Sequence, residues 1–286
     1  MNSPQPSFSF ELFPPKTPEG MANLSVSIDQ MKAVGPESSP VPYGAGGSPR
    51  DCTSAALDLL LAKGIAAAPH LACIGSSRDQ IRAILDRYRA QGIRRLVALR
   101  GDLPSGMGLG AAGDFRSANE LVSFIRQETG DHFRLEVAAY PEIHPQAANA
   151  DQDLTNFQRK VEAGADAAIT QYFYNADAYF AFVDRCAARG IQIPIQPGIM
   201  PITNFSQLAR FSDACGAEIP RWLRKRLETL GDDIEAIRAL GHEVVLNLCR
   251  RLLAGGAPGL HFYSMNQAGP VLRLWRDLGL PGAEGL

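Results

Sequence analysis

At 286 residues, with 45% hydrophobic and 20% charged side chains, the chain suits one globular domain spanning 1–286 rather than two small ones. A net charge of −2 and a pI near 6.2 argue against a nucleic-acid surface, and five cysteines without a CxxC pair suggest neither a disulfide framework nor a zinc site. The N-terminus lacks the basic start and apolar core of a signal peptide, and no window approaches the roughly 20 apolar residues of a membrane span, so a cytoplasmic protein with reduced thiols is expected.

The first predicted strand, 8–13, reads Phe8-Ser9-Phe10-Glu11-Leu12-Phe13 and is stopped by Pro14 and Pro15. Alternation sends Phe8, Phe10 and Leu12 to one face and Ser9, Glu11 and Phe13 to the other. One carboxylate thus sits near the C-terminal end of an otherwise apolar, aromatic strand. Glu11 is either a surface residue of an edge strand or the acid of a site; the remaining elements favour the second reading.

Further strands are predicted near 40–45, 66–73, 95–101, 134–140, 167–173, 192–197 and 260–265. Helical periodicity fills the intervals near 18–34, 52–63, 77–91, 117–129, 151–163, 177–189, 204–214, 233–254 and 268–278. Eight alternating βα units point to a (β/α)8 barrel with an extra helical excursion at 218–231, introduced by Pro220, before the eighth strand; a doubly wound open sheet is the alternative. Barrel chemistry gathers at the C-terminal ends of strands. Unusual polar residues fall there: Glu11, Tyr43, His70, Arg100, Asp102, Tyr140, Glu142, Gln171, Tyr263 and Asn266.

Other features are read as ordinary. Gly108-Leu109-Gly110-Ala111-Ala112-Gly113 matches GxGxxG by letter but lies beyond the strand end, where a dinucleotide fingerprint needs an immediate strand-to-helix turn; it is read as a mobile loop, either a lid or plain. The five histidines lack the short spacings of a metal helix, so no metal is implied. The basic run Arg221–Arg226 reads as a solvated helix face.

The helix at 151–163 carries Asp153, Asn156 and Lys160 at i, i+3 and i+7, with Arg159 beside them, and Leu154, Phe157 and Val161 on another face. The polar face suits water, or the phosphates and sugar of a nucleotide.

Taken in order, FSFELFPPK, VPYGAGGSPRD, AAPHLACIG, VALRGDLP, VAAYPEIHP, AITQYFY, IPIQPGIMPITNF and HFYSMN resemble the bacterial methylenetetrahydrofolate reductases over about residues 8–268. The resemblance implies a flavin-dependent TIM barrel that binds FAD, takes hydride from NADH or NADPH, and reduces 5,10-methylenetetrahydrofolate to 5-methyltetrahydrofolate by a ping-pong mechanism. The same residues would serve the reverse oxidation, and a folate-binding barrel with impaired redox activity is the other alternative.

Within that resemblance Glu11 matches the general acid that protonates a folate nitrogen, and its apolar setting is expected to raise its pKa. Asp102 matches an aspartate beside flavin and folate. Tyr43, Ala45, His70, Arg100, Gly101 and Ala118 match FAD-contact positions, as do Tyr140, His144 and Ala147. Asp153, Asn156, Arg159 and Lys160 match a further set, which turns the solvated face into a cofactor face. Gln171 and Gln207 match folate or nicotinamide positions, and Phe211 a stacking aromatic. Two residues depart from the family pattern: Pro42 replaces a hydroxyl residue near the flavin, and Gln267 replaces a cation near folate, each expected to weaken its contact. A homo-oligomer is expected, with no nucleic-acid or membrane partner.

Overall fold

Prolines and glycines punctuate most of the places where strand gives way to helix, and the resulting units close on one another. The structure, a computed structural model, describes residues 6–42, 50–101 and 113–285. The first half runs β1 (Ser7–Glu11), α1 (Pro18–Lys32), β2 (Ser39–Val41), α2 (Arg50–Ala62), β3 (Ala67–Ala72), α3 (Arg78–Ala90), β4 (Arg95–Leu99) and α4 (Ala118–Thr129). The second runs β5 (Arg134–Ala139), α5 (Ala150–Glu162), β6 (Ala167–Tyr172), α6 (Ala176–Ala188), β7 (Ile195–Ile199), α7 (Phe205–Cys215), α8 (Arg221–Thr229), α9 (Ile234–Ala254), β8 (Gly259–Tyr263) and α10 (Ala268–Asp277).

The sheet is parallel, in the order β1-β8-β7-β6-β5-β4-β3-β2. β1 pairs with β8 along its whole length, from Ser7 opposite Gly259 to Glu11 opposite Tyr263. On its other side it is joined to β2 and the residues before it, Glu37 N donating to Phe8 O (2.8 Å), Phe10 N to Ser38 O (3.4 Å) and Leu12 N to Pro40 O (2.9 Å). The sequence-predicted (β/α)8 barrel is therefore the observed one. α8 is the extra excursion; it buries Leu223 and Leu227 and leaves Trp222 half exposed.

The alternation read in β1 decides its packing. Phe8 and Phe10 face the helical layer and meet the buried Trp275 of α10 at ring-centroid distances of 4.7 and 5.5 Å. Each such buried aromatic is worth about 1.5–3 kcal/mol of transfer free energy. Ser9 and Glu11 face the opposite way, into the barrel, where they meet side chains of β3, β7 and β8. Helix starts follow local chemistry: Thr17, Asn149 and Asn204 cap α1, α5 and α7 by accepting backbone N–H bonds, and Ser77 with Gln80 forms a capping box on α3.

β7 differs from its predicted 192–197 span, running two residues further, through Pro197 and Gly198. A proline cannot donate to the ladder, yet here the β6–β7 register shifts between Ile169 and Tyr172, and Gly198 N donates instead to Thr170 Oγ1 at 2.8 Å. Gly198 is required there, because a Cβ would lie 2.2 Å from Thr170 O and 2.7 Å from the Tyr263 ring. β2 stops at Val41, and Tyr43, Ala45, Asp102 and the glycine-rich stretch through Ala112 lie outside the described residues.

Candidate active site

Glu11 ends β1 and is almost completely buried, yet its side chain lines a cavity of about 500 Å³ at the barrel mouth. Phe13, Gln171, Tyr172, Met200, Phe211 and Tyr263 form much of the remaining wall. The sequence-expected Glu11, Gln171 and Phe211 are thus brought to one cavity. Phe211, half exposed on α7, presents its ring at the rim. Tyr263 OH donates to Thr170 O at 2.9 Å, and burial pushes this phenol well above its ordinary value, so it stays neutral.

The surroundings of Glu11 overturn one expectation. Burial alone pushes its carboxyl up, as the apolar strand suggested. His70 of β3 and His261 of β8 oppose that, with Nε2 atoms 3.3 and 3.6 Å from Glu11 Oε2, and together they hold the pKa at about 2. The strand sequence could not reveal this, because both imidazoles come from distant strands. His70, expected at the flavin, has its ring against Glu11. His261 was not singled out from sequence; the period-2 alternation that puts it on the same face as Tyr263 was the available signal.

β1 is pinned at its end from the β8 side. Asn266 accepts from Phe13 N and donates to Phe13 O, both at 2.8 Å, while Ser264 Oγ donates to Glu11 O at 2.6 Å. Asn266 holds a left-handed conformation (φ 59), which asparagine tolerates better than most residues. This residue, read as a polar pocket candidate, is a latch that fixes the strand end carrying Glu11.

A second cavity, about 440 Å³, lies over β4, β5 and α5. It gathers Arg100, Ala118, Tyr140, His144, Ala147, Asp153, Asn156, Arg159 and Lys160, nine of the expected cofactor positions. Gly101 joins Arg100, Ala118 and Lys160 around a smaller adjoining recess. Its φ of +84 and a would-be Cβ 2.9 Å from that of Ala72 explain the glycine. Asp153 is a framework residue, its Oδ2 accepting from His144 N at 2.9 Å. Lys160 is half-buried, donates to Ala138 O, and is pushed down to about 8 by its partial burial, with Asp153 partly opposing the shift. A half-buried cation beside Arg100, Arg116 and Arg159 fits a phosphate-bearing ligand. Tyr140, His144 and Gln146 line both cavities, which therefore share a wall.

Two expected positions lie apart. Gln207 is half-buried in the first turn of α7, its backbone N–H bonded to the capping Asn204 side chain. Gln267 is exposed at the N-terminus of α10 and lines a separate cavity of about 310 Å³ with Arg238, His242 and Arg273. Pro42 is buried, its carbonyl accepting from Thr53 Oγ1 at 3.3 Å. Among the described residues no group of three or more His, Cys, Asp or Glu side chains is placed to hold a metal ion, and no helix is long and apolar enough to cross a membrane.

A parallel eightfold barrel with an ionisable pocket at the C-terminal ends of its strands defines a TIM-barrel protein of the enzyme type. The family model for methylenetetrahydrofolate reductase matches residues 1–279. The chain is 40% identical over 280 residues to 5,10-methylenetetrahydrofolate reductase of Escherichia coli (strain K12), covering 97% of this chain and 93% of that one. It is 38% identical to methylenetetrahydrofolate reductase (NADH) 1 of Arabidopsis thaliana, covering 96% of this chain and 49% of the plant protein. The chain belongs to the methylenetetrahydrofolate reductase family. Among solved structures, a Clostridium thermocellum protein described as binding two copies of 5-methyl-5,6,7,8-tetrahydrofolic acid has the same fold, with a TM-score of 0.66 at 17% identity, covering 96% of this chain and 93% of that one.

Proposed function

We propose that this protein reduces 5,10-methylenetetrahydrofolate to 5-methyltetrahydrofolate, using FAD and a reduced nicotinamide in two successive half-reactions in one pocket. The observation that carries this reading is the shared wall: a cavity with a buried carboxyl at its floor and an aromatic at its rim adjoins a groove rich in cations. The donor set of that groove suits FAD: Arg159 and Lys160 would hold its phosphates and Asn156 its sugar-like chain. When bound, FAD supplies the hydride relay between nicotinamide and folate.

The chain's own residues bind, orient and protonate. Gln171 offers an amide to the pterin or the nicotinamide, and Phe211 closes over either ring from the rim. Glu11 delivers the proton that opens the methylene bridge at the folate nitrogen. Asp102, assigned from the family pattern, adds a negative charge near the reacting rings. A purified protein with a bound oxidised flavin, bleached anaerobically by NADH and recoloured by methylenetetrahydrofolate, is the expected result. A protein without flavin, or one bleached but not recoloured, would overturn the reading.

A further inference from the structure

His261 is wholly buried and makes its contacts inside the barrel. Its Nδ1 lies 2.9 Å from Ser9 Oγ, and Ser9 Oγ donates to Gln196 Oε1 at 3.3 Å. The Gln196 amide is oriented by donation from Nε2 to Ser7 O (2.7 Å) and Leu260 O (3.2 Å), which turns its oxygen toward Ser9. With the Ser9 hydrogen directed to Gln196, the His261 Nδ1–H is the donor to Ser9, and Nε2 of the neutral ring carries only a lone pair. That Nε2 has no hydrogen-bond partner and faces Glu11 Oε2 at 3.6 Å. Two acceptors facing each other in a buried site repel, so a proton is required between them, on the ring or on the carboxyl.

We infer that His261, oriented by Ser9 and Gln196, is a positioning residue that holds in the barrel the proton Glu11 delivers to the folate. The inference rests on the function proposed above. At rest the proton is on His261 Nε2; it crosses to the Glu11 carboxylate, which passes that same proton to the folate nitrogen. The site is left as a carboxylate and a neutral imidazole, and one proton from solvent restores it, matching the one proton consumed per reduction. His70 shares Oε2, and with its side chain 13% exposed against 0% for His261 it is the imidazole open to refilling. The other ionisable groups around the pair are Tyr263 of β8 and, from β5, Glu136, whose carboxyl burial pushes up and which pairs with Arg95 at 3.2 Å with Arg134 nearby.

The test is His261→Gln in the flavin-loaded enzyme, with each half-reaction followed across pH. Glutamine keeps an amide in the site but cannot carry the proton. The folate half-reaction should slow by at least about tenfold, up to the about 10²–10⁴-fold that loss of a general acid itself costs, while flavin reduction by NADH stays within about twofold. Its alkaline limb should move to lower pH, because the cluster has lost one proton-holding group. A folate half-reaction with the wild-type pH profile, or equal slowing of both halves, would make His261 a packing residue only. Ser9→Ala removes one oxygen and should give the same shift to a smaller extent; it decides the matter by the same criteria if His261→Gln does not fold. In flavin-free protein, the ring-nitrogen NMR titration of His261 should move on Glu11→Gln, and an unchanged titration overturns the pairing. That readout needs no turnover, so it separates failure of this inference from failure of the proposed function.

Discussion

Two charged sites share a wall at the barrel mouth and are balanced in opposite ways. Glu11 brings its own counter-groups, His70 and His261, which overcome the effect of burial and hold the carboxyl at about 2. Lys160 is only half-buried, but Asp153 offsets the effect of burial only in part, and its ammonium is pushed down to about 8. A compensated charge is a site prepared to move a proton internally. An undercompensated cation among other cations is prepared for an anion that arrives with a ligand.

The sharpest way to break that contrast is at Glu11. Glu11→Gln should leave flavin reduction by NADH in place and lower the folate half-reaction by about 10²–10⁴-fold, since only the second needs the proton. Stopped-flow rates falling together would remove Glu11 from the acid role and leave the histidine cluster as barrel packing.

On the cationic side, Arg159→Ala with Lys160→Ala should reduce flavin retention by at least about 100-fold, as two contacts worth about 1.5–3 kcal/mol each to a charged group are lost. Circular dichroism should remain native, because the apolar face of α5, Leu154 and Phe157, is untouched. Full copurification of flavin would show that these cations face solvent only.

The latch that aims Glu11 gives a test of comparable size in stability. Asn266→Ala strands the N–H and C=O of Phe13 and puts alanine at a positive φ, for a loss of about 1–3 kcal/mol measurable by thermal or denaturant unfolding. An unchanged midpoint would mean that water or a neighbour replaces both bonds.

Titration gives a smaller effect with a definite sign. Phosphate binding favours the charged form of Lys160, whose pKa in the empty groove is about 8 against an ordinary 10.5. Flavin affinity should therefore be full below pH 8 and fall above it, by up to about tenfold per pH unit, with Lys160→Met abolishing the dependence. Equilibrium dialysis against FAD across that range checks it, and an affinity flat through pH 8 to 10 would release Lys160 from the phosphate role.

Smallest of all is Gln267→Arg. From the family pattern an arginine there should tighten folate binding, yet Gln267 is exposed and lines a cavity apart from Glu11, beside Arg238 and Arg273. A solvent-screened contact is worth about 0–1 kcal/mol, so folate affinity should rise by no more than about fivefold in a calorimetric titration. A larger gain would mean that the substrate's carboxylates reach that second cavity.

The barrel was legible in the sequence because its signals are local: strand and helix periods, capping residues and prolines act over a few positions, and eight repetitions of them leave few architectures open. The same local logic placed Glu11 at a strand end on the face opposite Phe8 and Phe10, and Asp153, Asn156 and Lys160 on one helix face with Arg159 beside them. It misjudged β7, expected near 192–197, because a register shift against β6 carries the strand past Pro197 to Ile199. It also gave the wrong sign for the Glu11 pKa. Side-chain period assigns a residue to a face and an environment of average polarity, whereas a pKa is set by charges 3–4 Å away, here on β3 and β8. Only barrel closure, bringing the first strand against the eighth and across from the third, decided which groups those are. By the same cause Asn266 became a latch and His261 a neighbour of the acid.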